Sequence, residues 1–185
     1  LIEHAYYHMA KKAGIDMEES RLLKENGRSH FMTRRFDRTG SGQKIHMQSF
    51  CAMEHFDFKK AGVHSYEQAL RTIRKLGMPM VTIEEQFRRM AFNIIGRNQD
   101  DHVKNIAFLM DKSGNWSLSP AFDMTYSYNP QGDWTSRHQM SLNGKRDDFT
   151  IEDFKACAKN ASMKRGRAEE IVRQVQEAVL QWKHF

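Results

Sequence analysis

The run Arg97-Asn98-Gln99-Asp100-Asp101-His102-Val103-Lys104-Asn105 places carboxylates, an imidazole, an ammonium and an amide within nine residues. Asp100 and Asn105 are separated by four residues. That spacing suits a loop offering a proton acceptor and, a little further on, an amide oxygen for a hard cation. The chemistry such a pair can do is phosphoryl transfer. A carboxylate takes the proton of an attacking hydroxyl, and positioning plus electrostatics supply the rest. In such a transfer Lys104 can offset phosphate charge as the γ-phosphoryl group moves. A second metal carboxylate has to come from another strand end, after a short hairpin, and Asp123 stands there. Asp101 is the alternative proton acceptor, although only three residues separate it from Asn105. His102 beside two carboxylates is also the seed of a metal-hydrolase cluster, but no second His follows at ligand spacing.

The Asp-x4-Asn spacing is that of the protein-kinase catalytic loop. The surroundings differ from that pattern: Asn98-Gln99 precedes the acid in place of His-Arg, and Phe122-Asp123-Met124 replaces Asp-Phe-Gly. A loop holds such groups in place when rigid elements fix both of its ends. Upstream, Ile83, Phe87, Met90 and Ile94 recur at intervals of 4, 3 and 4, one buried helical stripe that stops at Gly96. Downstream, IAFLM and WSLS flank Asp111-Lys112-Ser113-Gly114-Asn115, which reads as a hairpin.

The rest of the chain supplies the scaffold. Residues 1–13 read as a helix ended by Gly14 in the left-handed conformation. Strand-like runs at Arg21–Lys24 and His30–Phe36 are joined by Asn26-Gly27, a strong hairpin signal, and a second turn spans Arg38 to Gly42. From Met47 the text reads as mostly helical. Ser65 with Gln68, and Thr82 with Glu85, have capping-box spacing. A polar loop containing Pro130 and Gly132 leads to a short strand near Gln139–Leu142. Two helices close the chain, from about Ile151 and about Arg167, and in the last Val172, Val175, Val179 and Trp182 share a face. The expected class is α+β, mainly helical.

Composition bounds the function. Of 185 residues 39% are hydrophobic, which is ample for a core and excludes a mainly disordered chain. No stretch approaches eighteen uninterrupted apolar residues, so no membrane span is expected, and the N-terminus does not read as a signal peptide. Cys51 and Cys157, far apart in apolar helical text, fit a reduced, cytoplasmic protein. The net charge of +6 permits a polyanionic partner. Lys164, Arg165 and Arg167 form a basic knot that is either a solvated loop or a surface for phosphate backbone. The chain starts at Leu1 inside a helical pattern and is expected to be part of a longer protein.

The text RNQDDHVKNIAFL followed by LSPAFDM closely resembles the C-terminal region of HipA-like kinases, the toxins of type II toxin–antitoxin pairs. The resemblance continues in FMTRRFDR, KIHMQSF, SYEQALRTI and SLNGKRDDFTIEDF, and so covers nearly the whole chain. It implies the large, C-terminal lobe of a protein-kinase-like fold with short hairpins. Residues 1–42 would then be a helix and hinge hairpin from the inter-lobe region, and 43–185 the lobe itself. It also implies a serine/threonine kinase using ATP and Mg2+, with Asp100 as proton acceptor. His102, Lys104 and Asn105 would contact nucleotide and metal, and Asp123 would be the second metal ligand. Arg35, Phe36 and Asp37, in a strand, would sit beside adenine and ribose. Glu3 is either the helix carboxylate that pairs with an ATP lysine or a solvated first-turn residue.

The implied protein substrate is an aminoacyl-tRNA synthetase, and the implied partner is a DNA-binding antitoxin through which DNA is contacted. The Gly-rich phosphate loop and strand lysine of such kinases have no counterpart in the sequence, since Thr39-Gly40-Ser41-Gly42 lies between hairpin-like strands. The isolated chain is therefore expected to fold yet be catalytically silent. The alternative function is a binding module that docks an antitoxin or regulator without catalysis.

Overall fold

The structure is a computed structural model that describes residues 1–184. Helix α1 (Ile2–Lys12) buries Tyr6, Met9 and Ala10. It ends at Gly14, whose φ of +80° lets its N–H reach the Lys11 carbonyl while the Ile15 N–H returns to Ala10. Strands β1 (Ser20–Glu25) and β2 (Arg28–Thr33) then form an antiparallel hairpin closed by the Glu25–Arg28 pair. Its two turn residues, Asn26 and Gly27, both have positive φ, as a tight turn that continues the strand twist requires.

β2 stops three residues short of the Phe36 expected from the sequence. Arg35 and Asp37 close on each other through two hydrogen bonds, at 2.8 and 2.6 Å, and turn the Arg35-Phe36-Asp37 segment away from the ladder. Those residues therefore stand in a turn and not in a strand. A second turn follows at Thr39–Gln43, bridged by Arg38 and Lys44.

The helical text expected from Met47 begins later. Residues His46–Ser49 form β3, the edge of a three-stranded antiparallel sheet ordered β3-β4-β5, with β4 at Ala107–Met110 and β5 at Trp116–Leu118. Pairing with a strand some sixty residues away overrides the local helical pattern. The Asp111–Asn115 hairpin forms as expected, its Asp111 carboxylate accepting from the Ser113 and Asn115 amides.

Short helix α2 (Phe50–Met53) leads to α3 (Tyr66–Lys75), which opens with the Ser65/Gln68 capping box. The second box does not form. Helix α4 (Met80–Ile95) has Pro79 as its N-cap, three residues ahead of Thr82, and Glu85 accepts instead from the Asp16 amide and from Arg89. Its stripe is nevertheless the expected one, with Ile83, Phe87 and Met90 in the core and Ile94 packed at its margin.

Residues 119–150 hold only isolated bridges, so the strand expected near Gln139–Leu142 reduces to Ser65–Ser141 and Leu142–Lys145 contacts. Helices α5 (Ile151–Asn160) and α6 (Arg167–Val179) complete the fold. Val172 and Val175 are buried, but α6 ends at Val179 and the 3-10 turn that follows swings Trp182 out, leaving it 58% exposed. A single apolar core unites α1, α3, α4, α5 and α6. Cys51 and Cys157 are free thiols, and among the described residues no helix is long and apolar enough to cross a membrane.

Candidate active site

The polar run begins where α4 ends at a forced turn. A Cβ on Gly96 would stand 2.8 Å from the Phe92 carbonyl and 3.3 Å from the Tyr6 ring, so only glycine fits. The Tyr6 hydroxyl donates to the Gly96 carbonyl, and burial pushes its pKa up to about 12. Arg97, with φ of +53°, turns the chain and lays its guanidinium over the Tyr128 ring.

Buried Asn98 is the hub of the loop. Its Nδ2 donates to Asn93 Oδ1 at 3.0 Å and to the Asp123 carbonyl at 3.2 Å, and its Oδ1 accepts from the Ser127 hydroxyl at 3.1 Å. The Ser127 Oγ in turn accepts from the Asp100 amide at 3.0 Å. Asn105 Nδ2 donates to the Asp100 carbonyl, also at 3.0 Å. The backbone of Asp100 is thus held on both sides, while its side chain remains 53% exposed, with His102 Nε2 3.9 Å from Oδ1. Loop 97–105 and segment 123–127 are tied together by the same bonds.

Asp101 has the opposite environment. Its side chain has no solvent exposure, and it accepts from the Tyr66 hydroxyl (2.5 Å), His138 Nδ1 (2.8 Å) and the Gln139 amide (2.7 Å). A carboxylate so enclosed and so fully bonded cannot meet an incoming hydroxyl. Asp100 is the open one of the pair.

Asp123 is exposed and adopts φ of +56°, a left-handed backbone that costs a non-glycine residue roughly 1 kcal/mol and that the Asn98 bond to its carbonyl holds. The pKa of Glu3, in the first turn of α1, is raised by burial and then by the negative charge of Asp123. The two carboxylates therefore share one region of negative potential. Phe122 packs on Phe36, with ring centroids 5.4 Å apart, which brings the turn carrying Arg35 and Asp37 beside the Asp123 segment. The Arg35 guanidinium, with Arg38 behind it, holds the Asp37 carboxyl below its usual range.

On the other side, Lys104 is exposed and sets its ammonium 3.6 Å from the Phe58 ring centroid. His102 meets the same ring edge-on at 6.4 Å, and its Nδ1 is buried without a hydrogen-bond partner. The structure thus groups Asp100, His102, Lys104 and Asn105 on one loop, ties Asp123 to it, and brings Phe36 to the Asp123 side.

Asn98, Ser127, Tyr66 and His138 were not singled out from sequence. Asn98 lies inside the polar run, where Asn98-Gln99 stands in place of the kinase His-Arg pair, but no local signal marked it as buried. The others carried no local signal.

Oxygen donors suit magnesium, and Asn105 and Asp123 each offer one. The Asn105 amide nitrogen is committed to Asp100, which leaves Oδ1 as the atom able to bind a ligand, and the Asp123 carboxylate stands exposed. Among the described residues no group of three or more His, Cys, Asp or Glu comes together, so a cation here would take most of its ligands from phosphate and water.

Comparison with known proteins gives a consistent family signal. The HipA-like C-terminal domain family matches residues 1–182. A Haemophilus influenzae (strain Rd) protein named as a kinase is 28% identical over 134 residues, covering 65% of this chain and 39% of that protein. Among solved structures, HipA from Shewanella oneidensis MR-1, in complex with HipB and operator DNA, superposes with a TM-score of 0.81 at 18% identity. That match takes in 99% of this chain and 49% of the Shewanella chain. The Helicobacter pylori proinflammatory kinase CtkA superposes with a TM-score of 0.60 at 13% identity, over 99% of this chain and 82% of that one. The chain spans less than half the length of the Haemophilus and Shewanella relatives.

Proposed function

The chain belongs to the HipA-like C-terminal domain family, and from that premise we propose that it is the catalytic lobe of a protein kinase toxin. The reaction is transfer of the γ-phosphoryl group of ATP to a serine or threonine of a cytoplasmic protein, an aminoacyl-tRNA synthetase in the family pattern. The observation that carries this reading is the contrast at Asp100: its backbone is pinned at both N–H and C=O while its carboxylate stays open to solvent. A proton acceptor has to be anchored and free at its oxygens, and Asp100 combines a pinned backbone with an open carboxylate.

In the proposed site Asp100 orients the substrate hydroxyl and accepts its proton. Asn105 Oδ1 and the Asp123 carboxylate would hold magnesium, which, when bound, neutralises phosphate charge. Lys104 and His102 face the transferred group, with Lys104 leaving the Phe58 ring to meet phosphate. Phe36, packed on Phe122, offers an apolar face to adenine, while Arg35 and Asp37 reach ribose after parting from each other. Glu3 is placed to hold an ATP lysine near Asp123.

Residues 1–42 then form the inter-lobe region and 43–185 the lobe. The phosphate loop and lysine come from the part of the full protein that the longer relatives imply. A DNA-binding antitoxin is the proposed partner, because the Shewanella HipA structure contains HipB and operator DNA.

The test is labelled-phosphate transfer by the full protein. Asp100→Asn keeps shape and removes the proton acceptor, so transfer falls by about two orders of magnitude or more while melting temperature is unchanged. Near-normal transfer by the variant overturns the assignment.

A further inference from the structure

Asp101 joins segments that are far apart in sequence. Its Oδ2 takes the Tyr66 hydroxyl from α3 and the His138 Nδ1 from the 119–150 loop, and its Oδ1 takes the Gln139 amide. Tyr66 also accepts from Asn93 Nδ2 on α4 at 3.2 Å. Asn93 Oδ1 is the atom that holds Asn98. The network therefore returns to the loop on the other side of Asp100. His138 is itself braced, its carbonyl accepting from Arg146 Nε at 2.6 Å and its ring edge-on to Phe149. The Gln139 carbonyl accepts from the Gly62 amide at 2.8 Å, and that segment carries Phe58 and hence Lys104. Gly62 lies so close to Arg146 that a Cβ would meet its Cδ at 2.6 Å. The arms through Tyr66, Asn93 and His138 end on buried or half-buried residues, and the adjoining residue in the chain is Asp100.

We propose that Tyr66 and His138, acting through Asp101, are positioning residues that fix the direction of the Asp100 carboxylate. The proposal rests on Asp100 being the proton acceptor. Neither residue reaches solvent, since Tyr66 is 1% and His138 2% exposed, so neither touches substrate. Burial, followed by the charge and hydrogen bond of Asp101, holds the Tyr66 hydroxyl well above its ordinary pKa and keeps it a donor. A small displacement of the Asp101 carboxylate passes directly to its neighbour, and misplacement by an ångström can cost a hundredfold in rate.

The experiment compares Tyr66→Phe, His138→Ala and His138→Asn with the parent protein and with Asp100→Asn. Tyr66→Phe keeps the ring in the core and loses one donor. His138→Asn restores an amide donor near the position of Nδ1. Phosphoryl transfer by the full protein is expected to show kcat reduced about tenfold in Tyr66→Phe with KM for ATP unchanged, a larger fall in His138→Ala, and partial recovery in His138→Asn. In the 185-residue chain the Asp100 backbone amide and the Asn105 side-chain amide should shift in the NMR spectrum of Tyr66→Phe. Wild-type kcat in Tyr66→Phe, or unmoved Asp100 and Asn105 resonances, overturns the positioning role even where Asp100→Asn is dead. Should Asp100→Asn remain active, the reading of Asp100 itself fails, and the resonances still decide whether the clamp exists.

Discussion

Asp100 and Asp101 are chemically identical neighbours with opposite surroundings, and substitution should separate them. Asp100→Asn removes an exposed carboxylate and is expected to leave stability within about 0.5 kcal/mol. Asp101→Asn turns an amide nitrogen toward the Tyr66 hydroxyl or His138, or else toward the Gln139 amide, each of which donates to the carboxylate. Leaving such buried donors unmatched should cost about 2–4 kcal/mol, read as a lower urea midpoint with unchanged slope. Equal effects of the two substitutions would refute the division of roles. The sequence narrowed the choice through the four-residue gap to Asn105, but what decides it is burial by partners 35 and 37 residues away. Asn98 and Ser127 went unread for the same reason: what they do depends on Asp123 and Asp100 being brought to them by the fold.

Among the elements, α5 shows how one carboxylate organises a loop. Asp153 accepts from Asn143 Nδ2, Lys145 Nζ and both the amide and hydroxyl of Thr150, closing a capping box and pinning the 143–150 turn. Burial alone would raise its pKa, but the bonds from Lys145, Asn143 and Thr150 outweigh it and hold the carboxyl well below the usual 3.8. A depressed native value means that the unfolded chain binds the proton more readily. The stabilisation is thus present above the unfolded value and is lost as pH falls toward the native one. Asp153→Ala should cost about 2 kcal/mol at neutral pH, and less in strong acid. A denaturation series from pH 7 into the acid range checks both the size and the sign, and a penalty that grows as pH falls would contradict it.

Elements specified by their own residues were legible, among them the Gly14 stop, the Asn26-Gly27 hairpin and the Ser65/Gln68 box. Those set by distant pairing were not. β3 is set by its pairing with β4, and the Thr82 box fails because α4 is already under way at Met80, with Pro79 as its N-cap.

At the scale of the molecule, α1 through α6 share one core, whereas the β1–β2 hairpin is largely exposed. Thermal unfolding of the 185-residue chain should therefore be one transition seen alike by far-UV and near-UV signals, with hairpin amides exchanging first. Separate transitions for α1 and the helical remainder would contradict a single core. The same compactness is what holds loop 97–105 and segment 123–127 in register, and it underlies the proposal that this chain carries the metal–nucleotide side of a phosphoryl-transfer site. The most direct measurement adds ATP with Mn2+, as a paramagnetic substitute for Mg2+, to the isotope-labelled chain, where even weak binding broadens nearby resonances. The Asn105 side-chain amide and the Asp123 backbone amide should broaden first, and Asp123→Ala should abolish the effect. Broadening that spares both residues, or that persists unchanged in Asp123→Ala, would place the metal–nucleotide site elsewhere and overturn the proposal.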